Sequence, residues 1–274
     1  MNWPLTETLL DVGVVPVGVS APEWYRRNVV EPTLPSRVVD VGLLYSPNYE
    51  VLEELAPDLL IITPGHAPAR PMLERLAPTL TLGRYTSNAQ PYPALRAETL
   101  QMAQAVGRNS EGHRLLERTD SVLDGVGARL AQRPELLHRP VVVAELVDDR
   151  HVRVYGAGSL FDAMTSRIGV TNAVNQGGRQ PTWSTGQGGF TVVPMQRLFD
   201  LPQATLLLTG ELRSSQRTAL EKDVMWQALP SLKSRHVAVL PVIASDGGLF
   251  SMQRFALAVE QALADIAGGR GGLG

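Results

Sequence analysis

The chain has 274 residues, 44% hydrophobic and 19% charged, with a net charge of -2. That length buries one large core or two smaller ones, and so balanced a charge argues against a nucleic-acid binder, which carries a basic stripe. With no cysteine, disulfides, thiolate metal sites and cysteine nucleophiles are excluded, and no run approaches the ~18 apolar residues of a membrane span.

The opening "NWPLTETLLDVG" reads as a helix with Pro4 in its first turn, not as a signal peptide. "DVGVVPVGVSAP" gives a short strand ending near Ser20, followed by the irregular, proline- and aromatic-rich "PEWYRRNVVEPTLPSR". "VVDVGL" is the second strand, and Ser46-Pro47 signals a helix start, running to about Leu55. "DLLIIT" has the unbroken apolar character of a strand covered on both faces. It empties into a loop with Gly65, His66 and two prolines. A short helix "PMLERLAP", a strand "TLTLG" and a polar loop "RYTSNAQPYP" follow.

From Ala94 one helix runs to Gly107, and a longer one follows, its apolar residues Leu115, Leu116, Val122, Leu123, Val126 and Leu130 at three- and four-residue spacing. Gly125 and Gly127 each weaken it by about 1 kcal/mol, so it depends on tertiary packing. Beyond Pro140 strands and helices alternate again: "PVVVAELV", "HVRVYG", "SLFDAMTSRIG", a glycine-rich loop, "ATLLLTG", "HVAVLP" and a final helix ahead of the tail "GGRGGLG". The fold class expected is α/β: two lobes with mainly parallel sheets, bridged by one long helix. The boundaries are 1–108, a bridging helix 109–133, 134–267, and a structureless tail 268–274. Parallel sheets bind ligands beyond the carboxyl ends of their strands, so a cleft between the lobes is the expected site.

Motifs of catalysis are missing. "YGAGSLF" lacks the third glycine of a dinucleotide fingerprint and the lysine of a phosphate loop, and reads as a strand-to-helix turn. "GVSAP" lacks the second glycine of a nucleophile elbow. The five histidines show no zinc spacing; His66 stands out for its place at a strand's carboxyl end. Trp24, Tyr25, Tyr45, Tyr85 and Trp183 fall in loops near strand ends, with Arg26, Arg27, Arg84 and Arg179 beside them. Each aromatic is as consistent with packing as with a ligand; as a set they favour ligand contact, and the arginines suit an anionic or strongly polar ligand.

"VGLLYSPNYEVLEELAPDLLIITPGHAP", "MLERLAPT", "VYGAGSLFDAM", "WSTGQGGFTV" and "LPQATLLLTGE" together resemble the iron-siderophore periplasmic binding proteins of ABC importers, ferrichrome/hydroxamate type. The resemblance spans Trp3 to about Ala264. It implies a ferric siderophore as ligand, an inner-membrane ABC permease as partner, a periplasmic monomer, and no cofactor, catalytic residue or protein metal ligand. In that family a signal peptide and an apolar strand precede the position of Trp3; neither is present in this sequence, so the start is expected to be truncated or misplaced and the first strand of the amino-terminal lobe to be missing. The hydroxamate branch uses an arginine where this chain has Leu44, a tyrosine where it has His66, and two tryptophans, matched by Trp183 and by Asn28, with Trp24 and Tyr25 near the latter. The expected ligand-binding set is Trp24, Tyr25, Tyr45, His66, Arg84, Tyr85 and Trp183, with Arg84 or Arg26 supplying the charge lost at Leu44. The acidic residues that dock the permease are matched by Pro71 and Gln196, with Glu74 a turn from the first. Another iron chelate, haem or cobalamin is the alternative ligand, and an α/β enzyme such as a hydrolase the alternative class.

Overall fold

The computed structural model describes residues 2–175, 183–210 and 212–273. The chain divides into two compact α/β units, Met1–Thr119 with Asp246–Ser251, and Asp120–Ser245 with Met252–Gly274. The division falls inside the long helix, and a short segment near the end of the chain returns to the first unit. A linear partition at 108 and 133 does not anticipate that return.

In the first unit, α1 (Trp3–Asp11) is capped by Asn2, whose side chain accepts from the Leu5 amide at 3.1 Å. β1 (Gly18–Val19) is followed by α2 (Pro22–Asn28) and then by β2 (Val39–Asp40), which pairs with β1 in parallel. The expected strand "VVDVGL" stops early: Gly42 takes a left-handed φ of 89°, and β3 (Gly42–Leu43) and β4 (Ser46–Pro47) form a small hairpin. The helix expected from Ser46 therefore starts later, as α3 (Tyr49–Leu55). Asn48 caps it, accepting from the Glu50 and Val51 amides at 3.0 and 3.2 Å, the stronger N-cap prevailing.

β5 (Leu60–Ile62) leads through a 3-10 turn into α4 (Arg70–Leu73), and pairs in parallel with β6 (Thr79–Thr81). α5 (Pro91–Ala105) follows, then α6 (Asn109–Ala131), the long helix. These two approach closely where Gly112 faces Ala103: a Cβ at Gly112 would lie 2.6 Å from that of Ala103.

The second unit is built on one sheet in the order β11-β10-β7-β8-β9. Its members are β7 (Val141–Leu146), β8 (His151–Tyr155), β9 (Phe190–Pro194), β10 (Thr205–Thr209) and β11 (Val237–Val239). β7, β9, β10 and β11 run in one direction, and β8 runs against them, pairing antiparallel with β7 and β9, so the sheet is mixed. The turn before β8 explains the reversal: the Asp148 carboxylate accepts from the Arg150 and His151 amides at 2.7 and 2.8 Å, closing a tight hairpin.

Val142, Ala144, Leu206 and Leu208 share a core with Leu220, Trp226 and Leu229. The helices are α7 (Leu160–Arg167), α8 (Ser214–Lys222), α9 (Val224–Ala228), α10 (Pro230–Lys233) and α11 (Leu249–Ala267). "YGAGSLF" is a plain strand-to-helix turn in which the Ser159 hydroxyl caps α7 by accepting from the Asp162 amide at 3.0 Å.

The tail, expected to be structureless, is docked. The Gly272 amide donates to Val237 O at 2.8 Å, Arg235 Nε donates to Gly271 O at 3.2 Å, and Leu273 packs on the core. β11 is an edge strand with unpaired backbone groups, and the tail covers part of that edge. Glycine serves the close approach: a Cβ on Gly271 would lie 1.9 Å from Arg235 O.

Candidate functional site

In the first unit, the segments that follow four strands carry the candidate residues, with Trp24 and Tyr25 in the helix α2 and not in the loop expected. β1 leads to Trp24, β2 and its hairpin to Tyr45, β5 to His66, and β6 to Arg84 and Tyr85. The Asp40 carboxylate ties the first two loops together, accepting from the Ala21 and Gly42 amides at 3.1 and 2.9 Å.

His66 is buried and fully engaged. Its Nδ1 accepts from the Thr63 amide at 3.2 Å and lies 3.0 Å from the Thr63 hydroxyl, while Nε2 lies 2.6 Å from Leu44 O. Only a neutral ring with the proton on Nε2 satisfies the amide and the carbonyl together, and burial pushes its pKa below the ordinary imidazole value. His66 is thus a strut that fixes the Tyr45 hairpin to the end of β5. Tyr45 itself is 65% exposed, its ring centroid 5.3 Å from that of His66. It rests over Gly65, where a Cβ would come within 2.6 Å of Tyr45 Cε1. The glycine is the seat that lets the ring lie down.

Arg84 is presented with similar rigidity. The Gly83 and Tyr85 amides on either side of it both donate to the Glu98 carboxylate from α5, the second at 3.0 Å. Tyr85 is buried, its hydroxyl donating to Asp246 O at 2.7 Å; burial, then the Asp246 charge, raises its pKa. The Arg84 guanidinium between these anchors is exposed and makes no ion pair or side-chain hydrogen bond among the described residues. Arg26, the other cation expected to replace the one lost at Leu44, is held by Glu23 at 2.6 Å. Leu44 is partly buried and lines an apolar groove.

Trp24 is 53% exposed and stacks on Trp3 with centroids 5.8 Å apart, the Arg27 guanidinium 6.0 Å from its ring. Tyr25 is a correction: it is fully buried and its hydroxyl donates to Pro32 O at 2.7 Å. Tyr25 and Tyr85, expected as contacts, have no face left for a ligand and act as interior anchors. His66 likewise has no ring nitrogen to spare.

In the second unit, Trp183 is 7% exposed and packed into the core, with the Arg197 guanidinium 5.1 Å from its ring and no hydrogen-bond partner for Nε1 among the described residues. Arg179 lies outside the described residues. At the carboxyl end of β7, Glu145 Oε2 accepts from Arg153 at 2.9 Å and from the Tyr155 hydroxyl at 2.7 Å. Burial, then the Glu145 charge, raises the Tyr155 pKa. Sequence reasoning missed this triad and the Glu98 clamp. The alternation of Arg153 and Tyr155 in "HVRVYG" was the available signal, since alternate strand residues share a face.

Of the positions matched to permease docking, Pro71 and Gln196 are both exposed. Glu74 lies near the first and is paired with Arg70 at 2.7 Å; Asp200 lies four residues beyond the second and is paired with Arg197 at 2.6 Å. Among the described residues no group of three or more His, Cys, Asp or Glu could hold a metal ion.

Residues 1–244 match the periplasmic binding protein family. The iron(3+)-hydroxamate-binding protein FhuD of Escherichia coli strain K12 is 29% identical over 263 residues, 96% of this chain and 85% of that protein. The putative ABC transporter substrate-binding lipoprotein YhfQ of Bacillus subtilis strain 168 is 23% identical over 238 residues, 84% of this chain and 71% of that one. Among solved structures, the siderophore binding protein FhuD from Vibrio cholerae, bound to Fe3+–Desferal, aligns with a TM-score of 0.84 at 23% identity, covering 97% of this chain and 96% of that chain. With the family match running over most of its length, the chain belongs to the periplasmic binding protein family.

Proposed function

We propose that this protein binds a ferric hydroxamate siderophore in the periplasm and delivers it to an ABC importer of the inner membrane. The observation that carries this is the 29% identity to an iron(3+)-hydroxamate-binding protein across 96% of the chain. The first unit supplies suitable chemistry. Tyr45 and Trp24 offer rigid exposed rings to the chelate's apolar flanks, and Arg84 offers a charge-assisted donor to hydroxamate oxygens. Iron stays within its chelator throughout, so neither catalysis nor a protein metal ligand is needed. Haem ligation through His66 is disfavoured, because it would break the bonds to Thr63 or Leu44. Glu74 and Asp200 are the acids available for docking a permease near the matched positions.

Intrinsic tryptophan fluorescence tests the assignment. Saturable quenching by a ferric trihydroxamate, with none by the iron-free chelator or a ferric triscatecholate, is the expected result. No response to any ferric hydroxamate would overturn it.

A further inference from the structure

The sheet of the second unit has two unlike faces. In its register Thr209 lies opposite Glu145, and Glu145 opposite Arg153, so these three side chains stand in one row on one face. Val142, Ala144, Leu206 and Leu208, at the alternate positions, turn to the other face and join the core. The polar row lies at the carboxyl ends of β7 and β10, the end beyond which parallel strands hold ligands.

Within the row the Glu145 carboxylate is only half used. Its Oε2 accepts from Arg153 Nη1 and from the Tyr155 hydroxyl, and the guanidinium is held on that side by the Phe190 ring, 5.0 Å away. Oε1 accepts no hydrogen bond among the described residues. It lies toward β10, beside Gly210, where a Cβ would come within 3.3 Å of it and 3.1 Å of Glu145 Cγ. A carboxylate has about four acceptor positions, so a second cation can meet Oε1 while the guanidinium keeps Oε2.

Glu145, Thr209 and Gly210 line a pocket of about 30 Å³, with Leu212 and Val239 among its aliphatic members. Thr209 is 6% exposed, and its hydroxyl has no hydrogen-bond partner among the described residues. A buried hydroxyl left so is unfavourable. Beside it Glu145 keeps 33% of its side chain exposed, which leaves the carboxylate within reach of a solute.

The chemistry of the lining selects the occupant. Room for one group of water size excludes a guanidinium or a trimethylammonium. Two oxygens, one of them anionic, call for a donor, and a charged donor bonds a carboxylate more strongly than a neutral one. Leucine and valine around them suit methylene carbons better than the hydration shell of a bare ion. A primary ammonium on an alkyl stem meets all three conditions.

We propose that this pocket binds a protonated primary amine of the ligand, with Glu145 Oε1 and the Thr209 hydroxyl as acceptors. The site rests on the ferric hydroxamate function and narrows its ligand to chelates that carry a free alkylamine outside the iron centre.

Ferrioxamine B, a ferric trihydroxamate ending in a primary amine, is titrated alongside its N-acetyl derivative, which keeps the iron centre and loses the charge. Tryptophan fluorescence at pH 7.5 gives both dissociation constants for the parent, Glu145→Gln and Thr209→Val. The parent is expected to prefer the free amine at least tenfold, as for a charge-assisted bond. That ratio should fall below twofold in Glu145→Gln. It should drop threefold or more in Thr209→Val, a change of nearly equal volume that keeps the test valid if the first variant fails to fold. Equal affinities of the parent for the two complexes would overturn the amine site, the pocket then holding water only, and would leave the proposed function standing. A preference that survives in both variants overturns the site too, because the amine would be read elsewhere. Binding of neither complex would overturn the function itself, and the site with it.

Discussion

Glu7 accepts two hydrogen bonds from Ser251, from its amide at 2.7 Å and its hydroxyl at 2.8 Å, across 244 residues of chain. A third comes from the Gly248 amide at 2.9 Å. The carboxylate is fully buried and sits at the amino terminus of α11, where unsatisfied amides and the helix dipole favour negative charge. Glu7→Ala would strand these donors and should cost about 3 kcal/mol, whereas Ser251→Ala should cost about 1 kcal/mol. Urea denaturation of the two variants checks the ratio; equal and small losses would show that the carboxylate is not the anchor.

Arg84→Ala should weaken ferric hydroxamate binding by tenfold or more, as expected for loss of a charge-assisted bond of about 1.5–3 kcal/mol. Its guanidinium makes no ion pair or side-chain hydrogen bond among the described residues, so stability should move by less than about 0.5 kcal/mol. Titration by fluorescence alongside thermal melting separates the two effects.

Gly65→Ala places a methyl group where Tyr45 lies, 2.6 Å from Cε1. The exposed ring can swing away cheaply, so the fold should survive and the platform be lost. Gly65→Ala and Tyr45→Ala should each lower affinity by a similar factor, and the double variant should lose little more than either alone. Additive losses in this cycle would mean that the glycine acts independently of the ring.

His66 carries a pH dependence with a definite sign. Burial lowers its pKa in the folded state, so between that value and the ordinary value of about 6.5 the unfolded chain binds more protons. This residue's contribution to stability is present above about pH 6.5 and is lost as pH falls through the folded pKa. His66→Gln should be less stable at pH 7.5 by about 1–2 kcal/mol and should show a flatter acid limb in denaturant melts between pH 7.5 and 5. An unchanged slope would refute the assignment.

Gly271→Ala should undock the tail, because its Cβ would meet Arg235 O at 1.9 Å. A loss of about 1–2 kcal/mol is expected, with faster amide exchange at Gly272. A stability equal to the parent would mean that the β11 edge does not depend on the tail.

The apolar runs, caps and breakers were enough to place the loops that matter: the segments bearing Trp24, Tyr45, His66 and Arg84 all follow strands, as their local patterns indicated. What the patterns could not convey is which of those side chains face outward. Tyr25 and Tyr85 have the loop context of Tyr45 but are interior, because their hydroxyls find carbonyls at Pro32 and at Asp246, the latter 161 residues away. Tail docking was hidden for the same reason, since glycines read locally as disorder while the partner that orders them is the edge of β11.

By itself, then, the sequence determined the α/β class and the strand-end position of the candidate loops, because both follow from residue spacing along a short stretch of chain. Only the tertiary structure decided that Arg84, between two clamped amides, makes no side-chain bond among the described residues, that His66 spends both nitrogens on the backbone, and that Tyr25 and Tyr85 turn inward. Each of these depends on which distant backbone groups are within hydrogen-bond reach, and no local pattern records that distance.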